Sequence, residues 1–194
     1  MSSVPKSETR MTAAEYLEWE RQQDEKHEFL DGEVFAQAGG TRRHSLIATN
    51  LTRALGNYVA DGDCQAHGSD IRVHVESTGL YAYPDASVVC LPIEGESDDV
   101  ISNPVLIAEV LSPSTADFDR GGKFGHYRQI ASLRDYLVIY EDESRVEHHQ
   151  RVDDGNWLLR EFFGTEHVLD IASLNITVSL TEIYAKVRFD QAIE

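Results

Sequence analysis

One glutamate constrains this chain more than any other residue. Glu109 stands inside Val105-Leu106-Ile107-Ala108-Glu109-Val110-Leu111, an otherwise apolar run. Such a run reads as a central strand covered on both faces. A carboxylate there loses its hydration, and an isolated buried charge costs several kcal/mol or gives up its charge. Glu109 therefore needs a cation, a hydrogen-bond network, or water at the strand's end. The plain alternative is a glutamate that emerges at the sheet edge and pairs with an arginine.

Asp85 raises the same question. Tyr83-Pro84-Asp85 precedes Ala86-Ser87-Val88-Val89-Cys90-Leu91, a second apolar run. Proline suits a strand start, where no ladder N–H is required. Asp85 thus stands at the mouth of a buried strand, unless it is a turn aspartate that binds its own backbone. The loop between the two runs could bring them side by side. Two hard carboxylates at one sheet end would suit Mg²⁺, with room for waters and a phosphate.

The remaining pattern supplies helices and hairpins around these strands. Thr12-Ala13-Ala14-Glu15 fits a capping box, so a helix is expected from there to about Gln23, burying Tyr16 and Leu17. Asp31-Gly32 between two apolar stretches predicts a hairpin, and Asp153-Asp154-Gly155-Asn156 predicts another. Leu46, Ile47, Leu51, Ala54, Leu55 and Tyr58 recur at helical spacing, predicting a helix over 41–60. Ile71, Val73 and Val75 alternate with Arg72 and His74, as in a half-exposed strand. The loop over 92–103 is acidic and reads as solvated and mobile. A third helix is expected over 116–130, with Phe124, Tyr127 and Ala131 on its inner face. A last helix is expected at Leu180-Thr181. The expected class is α/β (α+β): a leader over 1–11, then a single domain over 12–194, with a mixed central sheet flanked by helices.

Composition excludes several classes. The longest apolar stretches fall far short of the roughly 20 residues a membrane helix needs. The first ten residues are polar, so no secretory signal is expected. Cys64 and Cys90 form no close-spaced redox motif and read as reduced thiols of a cytoplasmic protein. Cys64, His67 and His74 form no compact zinc motif. No nucleophile elbow, P-loop or dinucleotide fingerprint occurs.

Lys123 completes the candidate site. It shares one side of the third expected helix with Tyr127, four residues on, so its stem could carry the ammonium to the carboxylates. The alternative is that it points to solvent with Arg120. Glu28 reads as a hairpin-edge carboxylate facing water or as an accessory ligand. His44, beside Arg42 and Arg43, reads as a surface histidine or a phosphate contact.

The order Pro84-Asp85, then Glu109 within Ile107-Ala108-Glu109-Val110-Leu111, resembles the PD-(D/E)XK nuclease superfamily. Tyr83-Pro84-Asp85, Asn103-Pro104-Val105, Glu109 through Thr115, Asp119-Arg120 and Lys123 through Tyr127 resemble the Uma-two family of restriction-endonuclease-like proteins. Met11-Thr12, Tyr16 and Glu28 through Glu33 fit as well. The resemblance spans about residues 11–150. It implies a restriction-endonuclease-like core and a metal-dependent phosphodiesterase site, using Mg²⁺ or Mn²⁺ on a nucleic acid, with DNA expected. By position, Asp85 and Glu109 would be metal ligands and the Val110 carbonyl a third. Glu28, His44 and Tyr127 would be accessory groups, and Arg42, Arg43 and Arg120 nucleic-acid contacts. One departure stands out. The superfamily pattern places a lysine two residues after the glutamate, and here that residue is Leu111. Lys123 would be the replacement. A homodimer would suit cleavage of two strands. The rival expectation is a catalytically silent nuclease fold acting as a binding or assembly module.

Charge bears on that choice. The chain carries 17 Lys+Arg against 34 Asp+Glu, a formal net charge of −17. Such a balance opposes non-specific binding to nucleic acid or to anionic membranes. It is unevenly placed, however. Residues 34–60 contain no acid and three arginines, and residues 120–134 contain no acid and four bases. Local basic helices and a metal could therefore meet phosphates, with weak and salt-sensitive binding.

Overall fold

The apolar runs at 86–90 and 104–111 fold as neighbouring antiparallel strands, and the rest of the molecule is arranged on them. The computed structural model describes residues 10–37, 39–111, 118–153 and 155–189, and the side chains of 118–120 lie outside the description. Most of the expected leader, residues 1–9, falls outside it.

In chain order, the first half holds helix α1 (Ala13–Glu20), strands β1 (His27–Leu30) and β2 (Glu33–Ala36), and helix α2 (Arg42–Val59). Strands β3 (Cys64–Gly68), β4 (Arg72–Val75), β5 (Leu80–Ala82), β6 (Ala86–Cys90), β7 (Val100–Ile101) and β8 (Pro104–Leu111) follow. A π-helical segment, Phe118–Lys123, runs into the short helix α3 (Phe124–Tyr127). Then come β9 (Asp135–Tyr140), β10 (Arg145–Arg151), β11 (Trp157–Phe163), β12 (Val168–Ile171), β13 (Ile176–Ser179) and α4 (Leu180–Ile183).

The central sheet has six strands in the order β11-β10-β9-β8-β6-β3. It is mixed, because β8 and β9 run parallel while its other pairs are antiparallel. A second sheet, β2-β1-β5-β4-β7, has five strands. Strand β8 feeds both faces of the core by alternation. Leu106, Ala108 and Val110 pack with Ile47, Leu51 and Leu55 of α2 and with Leu180 and Ile183 of α4. Ile107 and Leu111 pack on the other face with Tyr127 and with Val73, Val75, Leu80 and Ala82 of the second sheet. The sheet is thus doubly covered, as its apolar strands require.

Local signals explain the ends of the elements. Both arms of the Thr12–Glu15 capping box are made, and α1 stops at Glu20, short of the expected Gln23. Asp31 and Gly32 take positive φ values of 51° and 87°, the conformation the first hairpin turn requires. Thr41 caps α2.

Several expectations are corrected. Cys64 and Cys90 are not free thiols. They stand opposite each other in the β3–β6 ladder and form a disulfide. The third helix is not continuous over 116–130. Residues 112–117 lie outside the description, and regular α-helix covers only Phe124–Tyr127. Gly121, Gly122 and Gly125 weaken a helix at these positions. Ala131 is exposed rather than inward. Tyr58 also turns outward, donating to Glu182 at 3.0 Å, and Leu91 lies beyond its strand, exposed. The strand at 72–75 is not half-exposed, since Arg72 is buried. Its guanidinium pairs with Asp99, which Arg21 also grips with two hydrogen bonds of 3.0 Å. The acidic loop over 92–103 is therefore tied down, and β7 within it pairs with β4.

Candidate active site

The site forms where β6 begins and β8 ends. Ala86 pairs with Ala108, so one step further the register sets Asp85 opposite Glu109. The Asp85 carboxylate reaches Val110, whose N–H donates to Asp85 Oδ2 at 2.8 Å. This satisfies a backbone donor of β8 at the point just before β6 begins.

Glu109 is 3% exposed, and its partners come from the segment after β8. Lys123 Nζ lies 3.4 Å from Glu109 Oε1, and the Tyr127 hydroxyl donates to the same oxygen at 3.0 Å. Lys123 also lies 2.8 Å from Glu28 Oε1. That second contact is an ion pair without hydrogen-bond alignment. Lys123 is 6% exposed and Glu28 8%, so neither is the solvent-facing side chain of the plain alternatives. Among the described residues, the cation beside Glu109 is Lys123. Leu111, where the superfamily's lysine would stand, is a buried core leucine. The lysine arrives from the next element instead.

His44 is the other correction. It is half-buried rather than a surface residue, with Nε2 3.3 Å from Asp85 Oδ2. Burial alone would lower its pKa. The hydrogen bond and charge of Asp85, with help from Glu141 and the Val110 main-chain oxygen, outweigh burial and raise it. Gly40 leaves room for this ring, since a Cβ there would come within 2.7 Å of His44 Nδ1. Burial, then the charge of Glu109, pushes the Tyr127 phenol well above its ordinary value. Tyr127 therefore keeps its proton and acts as a donor.

Among the described residues, Arg42 and Arg43 make no hydrogen bond or ion pair with this cluster. Arg42 is exposed and Arg43 half-buried in the first turn of α2, and the Arg120 side chain lies outside the described residues. One neighbour was missed. Glu141 is 5% exposed and accepts a hydrogen bond of 2.5 Å from Thr41 Oγ1. It follows β9, which runs parallel to β8 with Leu111 opposite Tyr140, so both strands deliver carboxylates to one end. Ligand sites favour such carboxyl ends of parallel strands.

These residues can be tested against the implied metal. Among the described residues, Glu28 and Glu109 face the Lys123 ammonium, while Asp85 faces His44 and the Val110 N–H. Asp85 Oδ1 has no partner among the described residues. The donor set is hard: two carboxylates and the Val110 carbonyl. Among the described residues, no three His, Cys, Asp or Glu side chains cluster as metal ligands. A cage made wholly of side chains is therefore absent from them. Mg²⁺ does not need one, since it binds through one or two carboxylates and keeps several waters.

Comparison with known proteins shows the family and the fold. The chain is 36% identical over 180 residues to slr1290, an uncharacterized protein of Synechocystis sp., covering 93% of this chain and 94% of that one. It is 40% identical over 168 residues to sll1609, also uncharacterized and from Synechocystis sp., covering 86% and 95%. Its fold matches a crystal structure from Anabaena variabilis described as "a putative nuclease belonging to DUF820", with a TM-score of 0.73 at 17% identity over 90% of this chain and 97% of that one. The Uma2 family model, described as "Putative restriction endonuclease", matches residues 13–181, a span that contains Glu28, Asp85, Glu109 and Lys123. By the span of that family model and the identity to these relatives, the chain belongs to the Uma2 family.

Proposed function

We propose that this chain is a divalent-metal-dependent endonuclease that hydrolyses phosphodiester bonds in DNA. The observation that carries the reading is the buried Glu109–Lys123 pair beside Asp85 and Val110. The description of the family and of the Anabaena variabilis structure supports it. Asp85, Glu109 and the Val110 carbonyl would hold Mg²⁺ or Mn²⁺, which polarises a phosphate and lowers the pKa of bound water. Lys123 is held by Glu109 and Glu28 with its ammonium at the carboxylates, where it offsets charge developing on the phosphate. Tyr127 donates to Glu109 and fixes its position. A homodimer would present two such sites to two strands. This reading assigns the cytoplasm as compartment, and the Cys64–Cys90 disulfide sits least easily with that, since disulfides are rare where thiols are kept reduced.

The test is cleavage of DNA by purified protein with Mg²⁺ or Mn²⁺. Asp85→Ala and Glu109→Ala should each lose about 10²-fold or more, the scale of a lost transition-state contact. Either variant cleaving as well as wild type would sink the assignment.

One observation favours a second reading. His44 Nε2 lies 3.3 Å from Asp85 Oδ2, one of the groups expected to bind metal. A silent nuclease fold acting as a binding or assembly module would keep that arrangement. It would give neither cleavage nor calorimetric heat on addition of Mn²⁺.

A further inference from the structure

A cleft of about 780 Å³ opens beside Asp85 and His44. Ser45, Thr49, Thr52 and Arg53 of α2 line it, at spacings that keep them on one side of the helix. Ile47, Leu51, Ala54 and Leu55 form another stripe of the same helix and fill the core. Helix α2 is therefore two-sided: one side holds the fold and the other offers hydroxyls and a guanidinium. Ser45 and Thr49 are exposed, and their hydroxyls have no hydrogen-bond partner among the described residues. Arg53 is exposed and makes one long hydrogen bond, 3.4 Å, to Asn50. Ser69, following β3, lines the cleft too. Besides Asp85, the lining holds one acid, Asp70, and Lys26 meets it at 2.5 Å. No Phe, Tyr or Trp is among the described residues of the lining.

We propose that this cleft binds the sugar–phosphate backbone of a single nucleic-acid strand and leads it to Asp85. The proposal rests on the nuclease reading above and names the form of its substrate. Hydroxyls and guanidinium groups are the donors that bond phosphate oxygens. The volume falls within the roughly 300–1,000 Å³ of sites for drug-sized ligands, which suits a short stretch of one strand and not a duplex. The donors of the lining meet phosphates and sugars, and such contacts carry no sequence information directly, so binding is indifferent to sequence. DNA and RNA strands offer the same phosphates and differ in the 2′-hydroxyl.

The experiment measures fluorescence anisotropy with the full chain in Ca²⁺, titrated into labelled single-stranded oligothymidine, oligouridine and a mixed-sequence duplex DNA. Oligothymidine should bind more tightly than the duplex. Arg53→Gln should weaken it and flatten the plot of log affinity against log salt by about 0.7, the value of one phosphate contact on a single strand. Thr49→Glu, also exposed, should weaken it through repulsion of phosphate. Arg160→Gln, on β11 away from the cleft, should bind as wild type. If wild type binds the strand and Arg53→Gln and Thr49→Glu bind equally well, the cleft assignment is wrong while the nuclease reading stands. Duplex binding at least as tight as single-strand binding overturns the single-strand proposal. Tighter binding of oligouridine keeps the cleft and overturns DNA as the substrate. No binding of any of the three by wild type overturns both readings.

Discussion

Lys123 is the residue on which the site turns. It sits buried between Glu28 and Glu109, so its charge serves the fold as well as any chemistry. Removing one partner of a buried pair leaves an uncompensated charge and costs about 3–5 kcal/mol. Lys123→Met should therefore lower unfolding free energy by about 3 kcal/mol in urea melts, on that same scale. Glu109→Gln in the same chain should recover part of this loss while leaving cleavage absent. If the double variant recovers both stability and cleavage, Lys123 and Glu109 have no role in the chemistry. At this scale the sequence was informative about identity and poor about partners. A glutamate inside an apolar run announces itself. That Glu28 lies on the other side of its lysine does not, because the first hairpin and the segment after β8 meet only in the folded molecule.

Among the elements, those with a local cause were legible. The capping box began α1, Asp31-Gly32 turned the first hairpin, and two apolar runs became β6 and β8. The failures have non-local causes. Strand β7 is two residues long and exists because β4 lies alongside it. The disulfide depends on the β3–β6 register, and no spacing of two cysteines reveals that. Glu141 joins the site only because β9 runs parallel to β8. The acidic loop looked solvated because its counter-charges, Arg21 and Arg72, are far away in sequence. These arginines give a pH signature. The hydrogen bond from Arg21, then one from Ser97 and the charge of Arg72, outweigh burial and hold Asp99 far below the usual carboxylate range. A depressed carboxylate stabilises the fold fully above its unfolded value of about 3.9, and that contribution fades as pH falls toward the folded value. Thermal melts of wild type and Asp99→Asn should differ by a constant amount from neutral pH down to about 4, then converge in stronger acid. A difference that grows on acidification would contradict this role.

For the whole molecule, the net charge of −17 and the proposed nucleic-acid substrate are reconciled by placement. Acids gather in the 94–99 loop, at 141–143 and at 153–154, while α2 and the segment leading through α3 carry bases. The doubly covered sheet fixes β6 and β8 side by side, and their register sets Asp85 opposite Glu109. Binding should accordingly need a divalent ion and weaken with salt. The most direct test of the proposed metal centre is a crystal soaked in Mn²⁺ and measured for anomalous scattering. One peak should appear between the Asp85 and Glu109 carboxylates and the Val110 carbonyl, with the Lys123 ammonium beside it. A well-ordered crystal with no peak there, or with Mn²⁺ only elsewhere, would contradict the account.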